Sequence, residues 1–206
     1  SPRSSPADTF CSKAWEAGSR GAQRSTAGDA VVDLKTRVGA ISFATPVIAA
    51  SGTFGYGVEF IPFYDISRLG AVIVKGLSLA PTPGNPPGRI VETAAGMLNA
   101  IGLQNIGVER FVGDVVPRLE DAGATFVANI YGKTLEEYEA VARRLSEVPS
   151  LGAIEVNASC PNVREGGMAF GATPEGIAGL TGRVRLCTAK PLWVKLSPNV
   201  TDIACI

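Results

Sequence analysis

Five short apolar runs, each ending at or beside a polar residue that a core has no use for, constrain this chain more than any other feature. They span residues 46–50, 71–75, 125–130, 153–157 and 192–196. The first runs into Ser51-Gly52, the second ends at Lys75, the third reaches Asn129, the fourth Asn157 and the fifth Lys195. Short apolar runs of this kind read as strands buried on both faces, the pattern of a parallel sheet. Amphipathic stretches at 108–122, 135–147 and 174–189 separate the later strands and predict helices. Thr134, with Glu137 three residues on, has capping-box spacing at the start of one of them. Strand–helix alternation with buried strands means an α/β fold with a parallel sheet. A single lysine at a strand end can snorkel into solvent, but polar ends on five successive strands point to function at the C-terminal ends of a (β/α)8 barrel or a doubly wound sheet. No GxGxxG turn follows the first strand, which favours a TIM barrel with roughly its first five strands present.

Ahead of these strands, 32–35 and 40–43 read as a small hairpin turning at Gly39. Residues 1–30 are rich in Ser, Ala, Gly and Arg without sustained apolar periodicity and read as a disordered or non-native tail. Residues 31–206 then form the N-terminal portion of the barrel domain. A barrel of this type needs about 250 residues, so the chain reads as truncated, and Thr201-Asp202-Ile203 looks like the start of a further helix.

Charge excludes several classes of partner. Nineteen basic residues balance nineteen acidic ones, which gives no electrostatic case for nucleic acid or a membrane surface. No apolar run is long enough to span a bilayer. Cys11, Cys160, Cys187 and Cys205 lack metal-type or disulfide-framework spacing, which fits a reducing cytoplasm and no metal site. Histidine is absent, so no Ser–His or Cys–His pair and no His-ligated metal lies within this chain.

After the fourth strand comes Asn157-Ala158-Ser159-Cys160-Pro161-Asn162, followed by a glycine-bearing stretch that runs to Gly171. Two carboxamides, a hydroxyl and a thiol at a strand end, ahead of a loose loop, suit an active site with a movable cover. The hexapeptide alone also fits a structural cysteine beside an Asx-turn.

Three stretches together resemble the dihydroorotate dehydrogenases, specifically the NAD-linked class 1B catalytic subunit. They are Pro83-Gly84-Asn85-Pro86 continuing through Glu92 to Asn105, with Met97-Leu98-Asn99-Ala100-Ile101-Gly102-Leu103-Gln104-Asn105 the most specific part; the Asn157–Asn162 hexapeptide; and Val194-Lys195-Leu196-Ser197-Pro198-Asn199. The resemblance implies FMN-dependent oxidation of (S)-dihydroorotate to orotate in pyrimidine (UMP) biosynthesis. It assigns Cys160 as the base that removes the C5 proton, while a hydride passes to flavin N5. It implies substrate contacts from Lys75, Asn99, Ile101, Gly102, Leu103, Asn157 and Asn162, and flavin contacts from Ala50, Ser51, Gly52, Lys75, Asn129, Asn157 and Lys195. It further implies a homodimer and an electron-transfer subunit carrying FAD and a 2Fe–2S cluster, and it leaves the FMN phosphate site beyond this chain. A fumarate-type class 1A enzyme, a dihydropyrimidine dehydrogenase relative and a non-catalytic half-barrel are the alternatives.

Overall fold

The computed structural model describes residues 32–158, 171 and 173–206, and the backbone alone at 164–165 and 168–169. The expected tail, Cys160 and Asn162 lie outside the described residues. Residues 34–206 make one compact unit.

The chain enters through a hairpin of β1 (Thr36–Val38) and β2 (Ile41–Phe43), with Val38 opposite Ile41 and Gly39 at φ +58° in the turn. The first strand lies closer to the turn than expected at 32–35. The left-handed backbone at Gly39 sets a tight loop, and the residues flanking that loop are the ones that pair. Next come β3 (Ile48–Ala49) and β4 (Ala71–Leu77), a separate hairpin of β5 (Ile90–Thr93) and β6 (Gly96–Asn99), then β7 (Phe126–Ile130) and β8 (Ala153–Asn157). A two-residue antiparallel pair, β9 (Arg164–Glu165) and β10 (Met168–Ala169), precedes β11 (Leu192–Lys195). Strands β3, β4, β7, β8 and β11 form one parallel sheet in the order β11-β8-β7-β4-β3. The first of them is only two residues long because the chain turns at Ala50, whose carbonyl accepts from Thr53 Oγ1 at 3.1 Å.

Helical segments cover one face of the sheet. The first, 108–121, is interrupted by a π-helical turn at Phe111–Val115, with Pro117 just beyond it. Helix α2 (Leu135–Ser146) is capped by Thr134 Oγ1, which accepts from Glu137 N at 3.4 Å. Glu137 reaches back to Lys133 N at 2.6 Å rather than to Thr134 itself. Helix α3 (Pro174–Arg185) starts with Thr173 as cap and proline at its first position, the favoured arrangement for both.

Side chains along each strand alternate between two apolar clusters, as the period of two requires. Val72, Val74, Phe126, Ala128, Ile130, Ile154 and Val156 pack outward with Leu119, Val141, Leu145 and Leu180 of the helices. Ala71, Val127 and Ala153 point to the opposite face, where Phe43 and Ile41 of the entry hairpin close over them with Ile48, Ile73 and Trp193. Phe43 meets Trp193 edge-on at 6.1 Å. The sheet is curled. Five strands laid flat would put β3 and β11 about 19 Å apart, yet Lys195 Nζ donates to Ser51 Oγ at 3.2 Å across those two edges. One lysine and one serine cannot bridge a flat sheet of that width.

Where α2 meets α3, Glu139 accepts from Arg183 Nε and from Arg143 at 2.9 Å. The Arg183 hydrogen bond, above all, holds the Glu139 carboxyl below the usual glutamate value. A depressed carboxylate stabilises the fold at pH above its unfolded value, and the gain is lost as pH falls through its folded value. The melting temperature of the protein is therefore expected to fall as pH drops below about 4. Glu139→Gln should flatten part of that acid limb in a melting series run from pH 7 to pH 3.

Candidate active site

Beyond the inner apolar layer the same strand faces turn polar toward their C-terminal ends. Ala71 and Ile73 are followed by Lys75, Val127 by Asn129, Ala153 by Glu155 and Asn157, and Trp193 by Lys195. These ends surround a cavity of about 470 Å³ lined by Ser51, Gly52, Lys75, Gly76, Asn129, Tyr131, Asn157, Lys195 and residues 99–104. Of the residues singled out in the sequence, the cavity brings together Ser51, Gly52, Lys75, Asn99, Ile101, Gly102, Leu103, Asn129, Asn157 and Lys195. Ala50 is exposed and does not line it, because the turn that ends β3 carries it outward.

A β-bulge admits two neighbours from one strand. Val74 pairs with Ala128 and Leu77 with Ile130, so Lys75 and Gly76 together oppose the single residue Asn129. Lys75 is held by its backbone N–H, which donates to Gly55 O at 2.8 Å. Gly76 is required by space, since a Cβ there would lie 2.9 Å from Asn129 Oδ1 and 3.3 Å from the Tyr131 ring. Strand β8 is anchored at its end by Tyr138, whose hydroxyl donates to Asn157 O at 2.9 Å.

The remaining wall is the segment 99–105, which leaves the exposed β5–β6 hairpin and returns to the core. Asn85 holds it from below, its backbone N–H donating to Ile101 O at 3.0 Å and its Nδ2 to Ala100 O at 2.7 Å. Arg89 adds a bond to Gln104 Oε1 at 2.6 Å. At the core end Asn105 is buried, with Nδ2 donating to Tyr131 OH at 2.7 Å and Oδ1 accepting from Gly107 N at 2.8 Å. Tyr131 OH donates in turn to Leu103 O at 2.8 Å. Tyr56 OH accepts from Ile106 N at 3.1 Å, and burial pushes this phenol above the ordinary tyrosine value, so it stays protonated at neutral pH. These ties hold Gly102 and Leu103 at φ +77° and +56°, left-handed backbone that a leucine rarely adopts. Among the described residues, the N–H groups of Gly102, Leu103 and Gln104 donate to no protein acceptor. Two lysines and a run of free amide donors facing one cavity suit an anionic group; the carboxamides of Asn99, Asn129 and Asn157 suit a ring bearing amides.

Tyr131 lines the cavity, and Glu155 bonds Asn129 beside it, without either having been singled out in the sequence. Glu155 carried a usable signal, being a carboxylate inside an apolar strand with the same parity as Asn157. Tyr131 lies one residue beyond Ile130 and carries none.

The family model for dihydroorotate dehydrogenase matches residues 33–206. The chain belongs to the dihydroorotate dehydrogenase family. It is 52% identical over 171 residues to the dihydroorotate dehydrogenase B (NAD(+)) catalytic subunit of Geotalea daltonii, covering 83% of this chain and 56% of that protein. It is 51% identical over 171 residues to the protein of the same name from Geobacter sulfurreducens, with the same coverage. A protein of Aquifex aeolicus provisionally named dihydroorotate dehydrogenase A (fumarate) is 51% identical over 172 residues, covering 84% of this chain and 56% of that one. The chain thus spans about half the length of the curated relatives it matches. The dihydroorotate dehydrogenase of Eimeria tenella, solved with ferulenol, superposes with a TM-score of 0.64 at 20% identity over 96% of this chain and 60% of that one. That likeness, with the curled parallel sheet, makes the fold part of a TIM barrel. Among the described residues no helix is long and apolar enough to cross a membrane.

Gly102 tests the rigidity of the loop. A Cβ on it would meet Asn85 N at 2.7 Å in a left-handed backbone. Gly102→Ala should destabilise the protein by at least about 1 kcal/mol in urea unfolding, and a variant as stable as the parent would show that the loop relaxes at no cost.

Proposed function

We propose that the protein containing this chain oxidises (S)-dihydroorotate to orotate in pyrimidine biosynthesis, with FMN bound in the strand-end cavity. The observation that carries this reading is the convergence of Lys75, Lys195, three asparagines and the free amides of residues 102–104 on one space. The residues present fit a flavin ring. Gly76 leaves room where a side chain would fill the cradle beside Asn129, and Lys195 places a cation at the mouth, held by Ser51.

Bound there, FMN supplies the hydride acceptor. This chain's residues do the rest. Asn99, Asn157 and Asn162 hold the amide edges of the substrate ring, and the backbone of Ile101, Gly102 and Leu103 meets its carboxylate. Lys75, which lines the cavity, would meet both substrate and flavin. The Cys160 thiolate takes the C5 proton, the C6 hydrogen leaves with its electron pair, and the C5–C6 double bond forms. A thiol has an ordinary pKa near 8.5, so a minority of free thiol is thiolate at neutral pH. Lys195 stabilises negative charge on the reduced ring. Ser51, Gly52, Asn129 and Asn157 would complete the flavin's surroundings.

The relatives named for the NAD(+) enzyme favour class 1B, in which a second subunit with FAD and a 2Fe–2S cluster takes the electrons from a homodimeric catalytic subunit in the cytoplasm. The Aquifex relative supports a second reading, a stand-alone fumarate-reducing enzyme. Fumarate-dependent turnover by the full-length protein without a partner would decide for the latter.

Mixing the FMN-loaded, full-length protein with dihydroorotate under nitrogen should bleach the flavin absorption. Cys160→Ala should slow that bleaching by at least about 100-fold while leaving FMN bound; unchanged kinetics would remove Cys160 from the role of base. Lys195→Ala should weaken FMN retention or slow its reduction by about tenfold or more, read by ultrafiltration and stopped flow.

A further inference from the structure

Glu155 is a carboxylate in the middle of β8, buried at 8% exposure, with Ile154 and Val156 on either side packed outward among the helices. Among the described residues its side chain accepts one hydrogen bond, from Asn129 Nδ2 at 2.5 Å, the residue directly opposite in the parallel register. Among the described residues no lysine or arginine lies within ion-pair distance of it. The Glu155 Oε1 atom accepts this bond, so the NH2 of the Asn129 amide is turned toward the carboxylate. The amide oxygen is then left facing Gly76 and the cavity, where it accepts from nothing among the described residues.

We propose that Glu155 is a positioning residue that fixes the Asn129 amide with its oxygen toward the bound ring, so that this wall reads an N–H donor. The inference rests on the flavin reading above. The only N–H on the isoalloxazine ring of oxidised FMN is the N3 imide, which makes that imide the group received. A glutamine in place of the carboxylate can donate as well as accept, so the Asn129 amide no longer has one fixed orientation, and an asparagine presenting NH2 to an N–H loses the contact.

The test is FMN binding to the apo form of the full-length protein, followed by flavin fluorescence quenching, for the parent, Glu155→Gln, Asn129→Ala and the double variant. Glu155→Gln should weaken FMN binding by about tenfold in the parent background, the scale of one hydrogen bond at a buried site. In the Asn129→Ala background the same substitution should change it by less than about twofold, since the carboxylate acts through that amide. Equal losses in both backgrounds, or no loss in either, would overturn the proposal while leaving the flavin reading intact. A parent that does not bind FMN would overturn both. A second measurement needs no variant: the parent should bind N3-methyl-FMN at least about tenfold more weakly than FMN, and equal affinities would overturn the assignment of the imide.

Discussion

Everything in this structure depends on strands that use both faces at once. One face of β4, β7 and β8 is committed to the helices, through Val72, Val74, Ala128, Ile154 and Val156. The other face is divided. Its first residues are apolar and sealed by Phe43 and Trp193, and its last are lysines, asparagines and a glutamate. Because the period of two is strict, a core at one end of the inner face and a polar cavity at the other need no extra element. The curl of the sheet brings these ends within reach of one another, as the Lys195–Ser51 contact shows.

The cavity's remaining wall is built by a different principle. Residues 100–104 have no regular structure, and their shape comes from side chains that bond to them: Asn85 to the Ala100 carbonyl and Arg89 to the Gln104 side chain from one side, Asn105 and Tyr131 to the Leu103 carbonyl from the other. The left-handed Leu103 persists because its carbonyl is gripped by Tyr131. Strain there accompanies a stretch of cavity-lining backbone whose amides meet no acceptor among the described residues.

Strand positions were legible because parallel strands buried on two faces leave dense apolar runs, and the polar residues that end those runs are the ones lining the cavity. Boundaries were less legible. The two-residue β3 was overestimated, since its apolar run begins two residues before the pairing and extends to the turn at Ala50. The entry hairpin was displaced by the more apolar stretch at residues 32–34. The β5–β6 hairpin went unnoticed because its turn, Ala94-Ala95, carries no glycine or asparagine to announce it, and every residue in it is exposed. The π-helical turn at 111–115 leaves no mark on helical periodicity. Glu155 was passed over because a strand read for its apolar residues hides the single charge within it.

The exposed β5–β6 arm has a consequence for how the cavity exchanges its contents. Its pairing is confined to two strands and contributes no residue to either core cluster, and an isolated two-stranded ribbon is marginal by itself. Asn99 sits at the end of that arm. Local opening of the ribbon thus moves one wall of the cavity while the sheet and its helices stay closed. Traffic through the site is decoupled from the stability of the barrel, and substitutions in the ribbon can change one without the other.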